Sequence, residues 1–452
     1  MRTTSGVLRS WLAPLVLFWL LTALLTHGSV QSAPVVVRFG TTNSTWPGWL
    51  EYLSWAKEVF EAKNPGTKIE IIDVARSSMS QVPLTSLDVL DLPFQQAGLL
   101  ARLGILADLS SLLREADLDR FLPILHQYTR SGQPLFGLPI WVNPTIILYR
   151  HGDDLQQAIY RLTAPVIGSS RWSWDALGNF AVKLTRHQND DRIPELAGFE
   201  AYWHFLDIAY HQLGDLYDRS GSAVRINSSV FTFATSYVLH WYLAVDRPFT
   251  YPVPFGNEDQ EWFIQGKAVM RLGTARDLWE LSGMALDQYE LLPLPKGPDT
   301  PPAIRHPQAR SGSKIGLASL QLVASSPRRS EAWRWISFLA LDRDAAMRRM
   351  TMTRTVPALR EILPLYVRYV PGPASLFSLV EEVENPDAAL PDLIPQEALL
   401  VQTRNSLLRS AFDWAPQGPR ASHPPADIVA RRLDEVRAQL EKILSGEAST
   451  KG

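Results

Sequence analysis

The stretch EWFIQGKAVMRLGTA, from Glu261 to Ala275, contains a Gly-Lys pair of the kind that cradles phosphates. That motif needs a glycine five positions before Gly266, and position 261 is glutamate, so nucleotide binding is set aside. His204, Asp207 and His211 recur at i, i+3 and i+7, which puts two imidazoles and a carboxylate on one helical face where a metal could sit. With no fourth candidate nearby, a packed or surface aromatic face accounts for them better, and no metal or other cofactor is expected. The chain has no cysteine, which removes disulfides, thiol nucleophiles and thiolate metal sites. Arg276 next to Asp277 could bond a substrate oxygen, but an internal salt bridge is the cheaper explanation.

The remaining question about Gly266-Lys267 is why an amphipathic helix should end there and run into a short apolar strand. A chain of 452 residues exceeds what one core usually supports, so two lobes are expected. The formal net charge of -2 leaves no basic footprint, and no nucleic-acid or anionic-membrane partner is expected. At the N-terminus Arg2 and Arg9 flank the apolar run from Leu12 to Leu25, which is followed by THGSVQSAP. That run falls short of the roughly 20 residues of a bilayer span and matches a secretory signal, the alternative being an uncleaved anchor. Residues 1–32 are therefore read as a signal peptide cut after Ser32, with Val30 at the -3 position. The exported chain would be periplasmic or extracellular, mildly acidic and without a lipid-anchor cysteine.

VVVRFG (35–40) reads as a buried strand. In the following segment Trp49, Leu53, Ala56 and Phe60 recur at helical spacing until Asn64-Pro65-Gly66 stops the helix. KIEIIDV (68–74) alternates like a strand. A strand, helix and strand unit implies a parallel sheet with helices packed on it, and ligands at the carboxyl ends of its strands. Here those ends are the loops GTTNSTW and LDVLDLP. TIILYR and IGLASLQLVAS read as further strands, the region from Trp172 to about Val245 as mainly helical, and SEAWRWISFLAL and PADIVARRLDEVRAQLEKIL as amphipathic helices.

Taken in order, these segments resemble the extracellular solute-binding proteins of ABC importers, particularly the family that binds sugars and oligosaccharides. The resemblance is carried by KNPGTKIEI, LDVLDL before AGLLARLGILADL, GLPIWVNPTIILYR, RWSWDALGNFAVKL, EWFIQGKAVM, YELLPLPKG, SEAWRWISFLA and RTVPAL, across nearly the whole exported chain. It implies an α/β, two-lobed periplasmic-binding-protein-like fold of type II, with a ligand cleft between hinged lobes. One lobe would comprise 33–142 and 288–342, the other 143–287 and 343–445 with the C-terminal helices. The glycine of the Gly-Lys pair would then serve a turn, and the strand after it would deliver Gly273 and Thr274 to the cleft. The implied function is binding a small-molecule sugar, as a monomer, and handing it to ABC importer permease subunits at the membrane, without catalysis.

A sugar site needs carboxylates or amides for paired hydrogen bonds and aromatic rings for stacking. By resemblance, Asp91 presents a carboxylate to sugar hydroxyls, while Asp88 caps the following turn. Asn143 stands where similar sugar binders carry an aspartate, or is fixed mainly by Pro144 in a hinge turn. Trp46 and Trp141 from one lobe, and Tyr202 and Trp203 from the other, are stacking candidates, with core packing as their alternative. Gly312 and Ser313 match a loop that approaches ligand through its backbone. Similar proteins often carry a further tryptophan near that loop or near Gly273, and this chain does not. Two rival readings remain open: an exported glycoside hydrolase, although no carboxylate signature is recognisable, and a degenerate homologue acting as an interaction or sensor subunit.

Overall fold

The computed structural model describes residues 33–74, 83–129, 134–187, 194–200, 212, 249–250, 262–297, 311–313, 315–390, 434–435, 438–439 and 442. The expected signal peptide, Tyr202, Trp203 and the trio His204, Asp207 and His211 lie outside them. The chain opens with strand β1 (Val35–Thr41), helix α1 (Trp49–Lys63) and strand β2 (Thr67–Asp73), the unit expected from its periodicity. β1 and β2 pair in parallel over their full length. Trp49, Tyr52, Leu53, Ala56 and Phe60 form the buried stripe of α1, because residues three and four apart share a helix face.

Strand β3 (Val89–Pro93) pairs in parallel with β1 and runs into helix α2 (Phe94–Arg102). Strand β4 (Leu138–Asn143) is followed after two residues by β5 (Ile146–Arg150), and the two belong to different sheets. Helices α3 (Asp154–Thr163) and α4 (Trp174–Leu184) come next, each capped by a side chain that accepts a backbone N–H: Asp153 from Gln156 and Ser173 from Ala176. Strand β6 (Ala197–Glu200) interrupts the region expected to be mainly helical. Four residues are too few to show a strand period, and pairing with a distant strand overrides local preference.

β7 (Phe249–Thr250), β8 (Ala268–Gly273) and β9 (Tyr289–Leu292) complete a five-stranded sheet of order β7-β6-β8-β5-β9. The chain then returns as β10 (Gly316–Leu322), α5 (Arg329–Leu341), α6 (Arg343–Thr353) and β11 (Val356–Pro357). The six-stranded sheet so formed has the order β11-β4-β10-β3-β1-β2. β9 thus lies with the second sheet, while α6 and β11 lie with the first, unlike the division expected at 288 and 343. Membership is set by pairings such as Val356 with Val142 and Tyr289 with Arg150, which no local pattern announces. Helices α7 (Leu363–Tyr369) and α8 (Phe377–Glu384) follow, and the turn between them takes hold of β9: the Leu291 N–H donates to Ser375 Oγ at 2.7 Å.

On the first sheet, alternation along β3 sends Leu90 and Leu92 to a small cluster with Ala97 of α2, and Val89 to the main core. That core centres on Trp335, whose ring meets Phe60, Phe338 and Phe39 at centroid distances of 5.1, 5.9 and 6.0 Å. Arg349 of α6 is buried, and its guanidinium donates to the carbonyls of Leu339 and Ile140 at 2.6 Å each. Those bonds tie α6 to β4. A buried cation held by two carbonyls keeps its partners only in this arrangement.

Gly48, just before α1, has φ +75° and faces α6 so closely that a Cβ would lie 2.1 Å from the Met352 carbonyl oxygen. Gly104 has a similar φ of +69° with open space around it. Gly104→Ala should therefore cost only the left-handed strain, about 1 kcal/mol, and Gly48→Ala about 2–4 kcal/mol. Urea unfolding of the two variants checks this, and equal losses would show that the close approach to α6 is unimportant.

Candidate ligand-binding site

The carboxyl ends of β1 and β3 lie side by side, Thr41 opposite Asp91. Asp91 is fully buried. Its Oδ2 accepts from Thr41 Oγ1 at 2.5 Å and from the Trp49 indole N–H at 3.0 Å, while Oδ1 accepts the Thr42 backbone N–H at 2.5 Å. Thr42 Oγ1 also donates to the Asp91 carbonyl at 2.7 Å. The carboxylate expected to meet sugar hydroxyls is consumed within the protein, because the β3 alternation turns Asp91 toward α1. Its role here is to anchor the first residues of the loop 42–48. Asp88 likewise does not cap the turn after it: it accepts the Arg38 N–H at 2.8 Å and Ser326 Oγ at 2.6 Å, and lies 3.2 Å from the Arg328 guanidinium.

Trp141 of β4 is also buried, edge-on to Trp49 at 4.8 Å and tilted against Trp46 at 5.8 Å. It supports the loop from below, and Trp46 is the half-buried member of the group. The Trp46 indole N–H donates to the Thr353 carbonyl at 2.9 Å. Trp279, in the short helix Asp277–Glu280 after β8, donates to the same carbonyl at 3.1 Å. Arg354 caps α6 in the left-handed region, φ 55°, and lays its guanidinium 4.4 Å from the Trp279 ring centroid while donating to the Leu278 carbonyl at 2.5 Å. Segments attached to both sheets therefore meet around Thr353.

Gly273 ends β8 and is buried, while Thr274 is half-buried with its N–H on Asp277 Oδ2 at 2.5 Å. The turn before β8 explains the Gly-Lys pair. Gly266, φ +76°, donates to the Phe263 carbonyl and Lys267 to the Trp262 carbonyl, the paired bonds that end helices at a left-handed glycine. The N–H groups of Trp262 and Phe263 are taken by the buried Glu200 carboxylate at 3.1 and 2.8 Å. Asp277 pairs with Arg271, which is buried and also lies 2.8 Å from Glu280, and not with the adjacent Arg276. Arg276 instead extends over the Trp46 ring at 6.0 Å and donates to the Thr45 carbonyl at 3.4 Å.

Asn143 ends β4 opposite Gly316, and its Oδ1 is buried with no partner among the described residues. Gly312 and Ser313 are buried against the end of α8 and the segment that follows it. A Cβ on Gly312 would lie 2.5 Å from the Ala388 nitrogen, and the Ser313 N–H donates to Glu382 Oε1 at 2.8 Å. The structure thus gathers Trp46, Trp141, Asn143, Gly273 and Thr274 around the β4–β5 crossing, where Ile146 pairs with Gly273. Asp91 underlies that group and Gly312–Ser313 is docked on Glu382 and Ala388. Arg276, read as a substrate contact or an internal salt-bridge partner, joins the site over the Trp46 ring, and Trp279, Thr353 and Arg354 join it without having been singled out for it. Only RTVPAL, within the resemblance, pointed near them, because a left-handed arginine leaves no spacing signal. Among the described residues no group of three or more His, Asp or Glu side chains is arranged to hold a metal ion.

Two open α/β sheets joined by a two-residue crossing, with loops of both meeting at one place, define a two-lobed solute-binding fold. The chain belongs to the bacterial extracellular solute-binding protein family, whose pattern matches residues 43–346. Solved structures of similar fold include the ABC substrate-binding protein Lmo0181 from Listeria monocytogenes in complex with cycloalternan, at TM-score 0.67 and 15% identity, covering 90% of this chain and 99% of that one. Maltose-bound MalE3 of T. maritima gives 0.64 and 18%, covering 92% and 100%. The maltotriose-binding protein of Thermus thermophilus, bound with maltotriose, gives 0.62 and 15%, covering 89% and 100%. Comparison with curated protein sequences finds no match. No helix among the described residues is long and apolar enough to cross a membrane.

Burial pushes the Asp91 carboxyl up from 3.8 to about 7, against the opposing pull of its donors from Thr41, Thr42 and Trp49. The folded protein therefore holds this proton where the unfolded chain releases it. The stability that Asp91 contributes is complete below about pH 4 and is lost as pH rises through about 7. Glu382, raised by burial to about 8, acts in the same direction. Asp91→Asn cannot ionise, so the fall in urea stability between pH 4 and 7.5 should be shallower than in the parent. An identical slope would mean that Asp91 is already ionised across that interval.

Proposed function

We propose that this chain is the carbohydrate-binding component of an ABC importer, exported to the periplasm or cell exterior after loss of residues 1–32. It closes on a sugar and presents the closed form to the permease subunits. The observation that carries the reading is the convergence of Trp46, Asn143, Thr274 and Arg276 from both sheets at one crossing, in a chain of a solute-binding family. The solved relatives named above hold cycloalternan, maltose and maltotriose, which supports a saccharide as the ligand class. Among the described residues we take the lobes as 33–143 with 315–357, and 146–297 with 363–390 packed on it, working as a monomer.

Among the described residues Trp46 is the ring available for stacking in this reading, with Trp141 as its support. Asn143 supplies an acceptor to a ring hydroxyl, and Thr274 a hydroxyl. Ligand bonds to both lobes favour the closed state by population shift. Saturating sugar should then shrink the radius of gyration in solution scattering and raise the melting temperature, by about 2.7 kcal/mol of added stability at one hundred times Kd. Trp46→Ala should weaken binding by about 1 kcal/mol, roughly fivefold. A folded protein that no mono-, di- or oligosaccharide stabilises, yet that binds a membrane partner, would replace this reading with that of an interaction subunit.

A further inference from the structure

We propose that the site selects acidic saccharides, oligosaccharides whose rings carry uronate carboxylates, and that Arg276 is the residue that selects them. The proposal rests on the carbohydrate reading above. Arg276 is 45% exposed and lies over the ring of Trp46, the aromatic surface on which a sugar would stack. Its bond to this loop, 3.4 Å to the Thr45 carbonyl, is long and easily exchanged. The carboxylate beside it in sequence, Asp277, is taken by Arg271, and Glu280 lies 2.8 Å from Arg271 but 4.0 Å from Arg276.

Among the described residues the other charges nearby are already engaged. Asp91 lies beneath the loop, held by its own donors, and Asp73 at the end of β2 accepts Ser44 Oγ at 2.6 Å. Arg354 is stacked on Trp279 and bonded to the Leu278 carbonyl. Among the described residues Arg276, with the Glu280 carboxylate 4.0 Å away, is therefore the exposed cation at the aromatic surface. A neutral ring that stacks on Trp46 must dislodge the guanidinium and offers it no charge in return. A uronate ring can stack and also accept the planar two-donor fork through its carboxylate, a shorter and stronger bond than a neutral hydroxyl makes. Asn143 Oδ1, buried and unpartnered among the described residues, lies three residues before Ile146, the partner of Gly273 on the strand that leads to Arg276. It offers an acceptor to a hydroxyl of the same ligand.

Calorimetry on the secreted protein with trigalacturonate and with maltotriose tests this. Trigalacturonate should bind about tenfold tighter or more at low salt, with the advantage falling as salt is raised. Arg276→Gln should bring the ratio of the two affinities close to one, and Arg276→Lys should keep part of it, with thermal melts checking that both variants fold. Maltotriose binding as tightly as trigalacturonate, or tighter, would overturn the selectivity and leave the carbohydrate reading standing. A preference unchanged in Arg276→Gln would overturn the assignment to Arg276. Binding of neither sugar would overturn the inference, and the reading beneath it would fall as well only if no mono-, di- or oligosaccharide stabilises the protein.

Discussion

The buried carboxyl of Asp91 is the point on which the site depends. It joins β1, β3 and α1 through Thr41, Thr42 and the Trp49 indole, at the strand ends where the sheet stops and the loop 42–48 begins. A loop leaving a sheet has no ladder partners of its own, so its first backbone donors need an acceptor from elsewhere. Asp91 supplies one at Thr42. Its cost is desolvation, visible in the raised pKa, and the donors around it offset part of that cost. Trp49, fixed by the same carboxyl, stands edge-on to Trp141, and Trp141 in turn backs Trp46. The orientation of the half-buried Trp46 ring thus follows from a carboxyl buried beneath the loop.

A second constraint lies at the end of α6. The carbonyl of Thr353 accepts both Trp46 and Trp279, one from each side of the molecule, and the left-handed Arg354 holds the Leu278 carbonyl. Two indole donors on one carbonyl make a compact joint, because an sp² oxygen has two lone pairs to offer. Gly48 is part of the same joint, since its missing Cβ lets the loop pass close over the Met352 carbonyl. These contacts couple the first sheet, α6 and the segment after β8. Rearrangement of any one of them therefore reaches the others through side chains already in contact.

Much of this protein is readable from residue order alone. Periodicity marks α1, β2, β5, β10 and α5, and Asn64-Pro65-Gly66 marks the stop between α1 and β2. Gly266 was legible as a turn glycine because a left-handed helix end favours a residue without Cβ. The α/β class followed from the order of these segments, since each pattern is local and depends on neighbours within a few residues. The region around the site was legible too, because ligand loops sit at strand ends.

Which side chains reach that region depends on how the distant segments pack. Asp91 and Trp141 have the residue types of a sugar site, but pleating turns the first toward α1 and burial closes the second beneath Trp46. Gly312 and Ser313 are covered by residues some seventy positions later, around Glu382 and Ala388. Arg276 was legible as a charge beside Asp277, yet its place over Trp46 depends on Arg271, five residues earlier on a buried strand, taking that carboxylate. Competition between two arginines for one carboxylate depends on distances across a strand and a turn. One-dimensional spacing does not encode those distances, and the packed chain does.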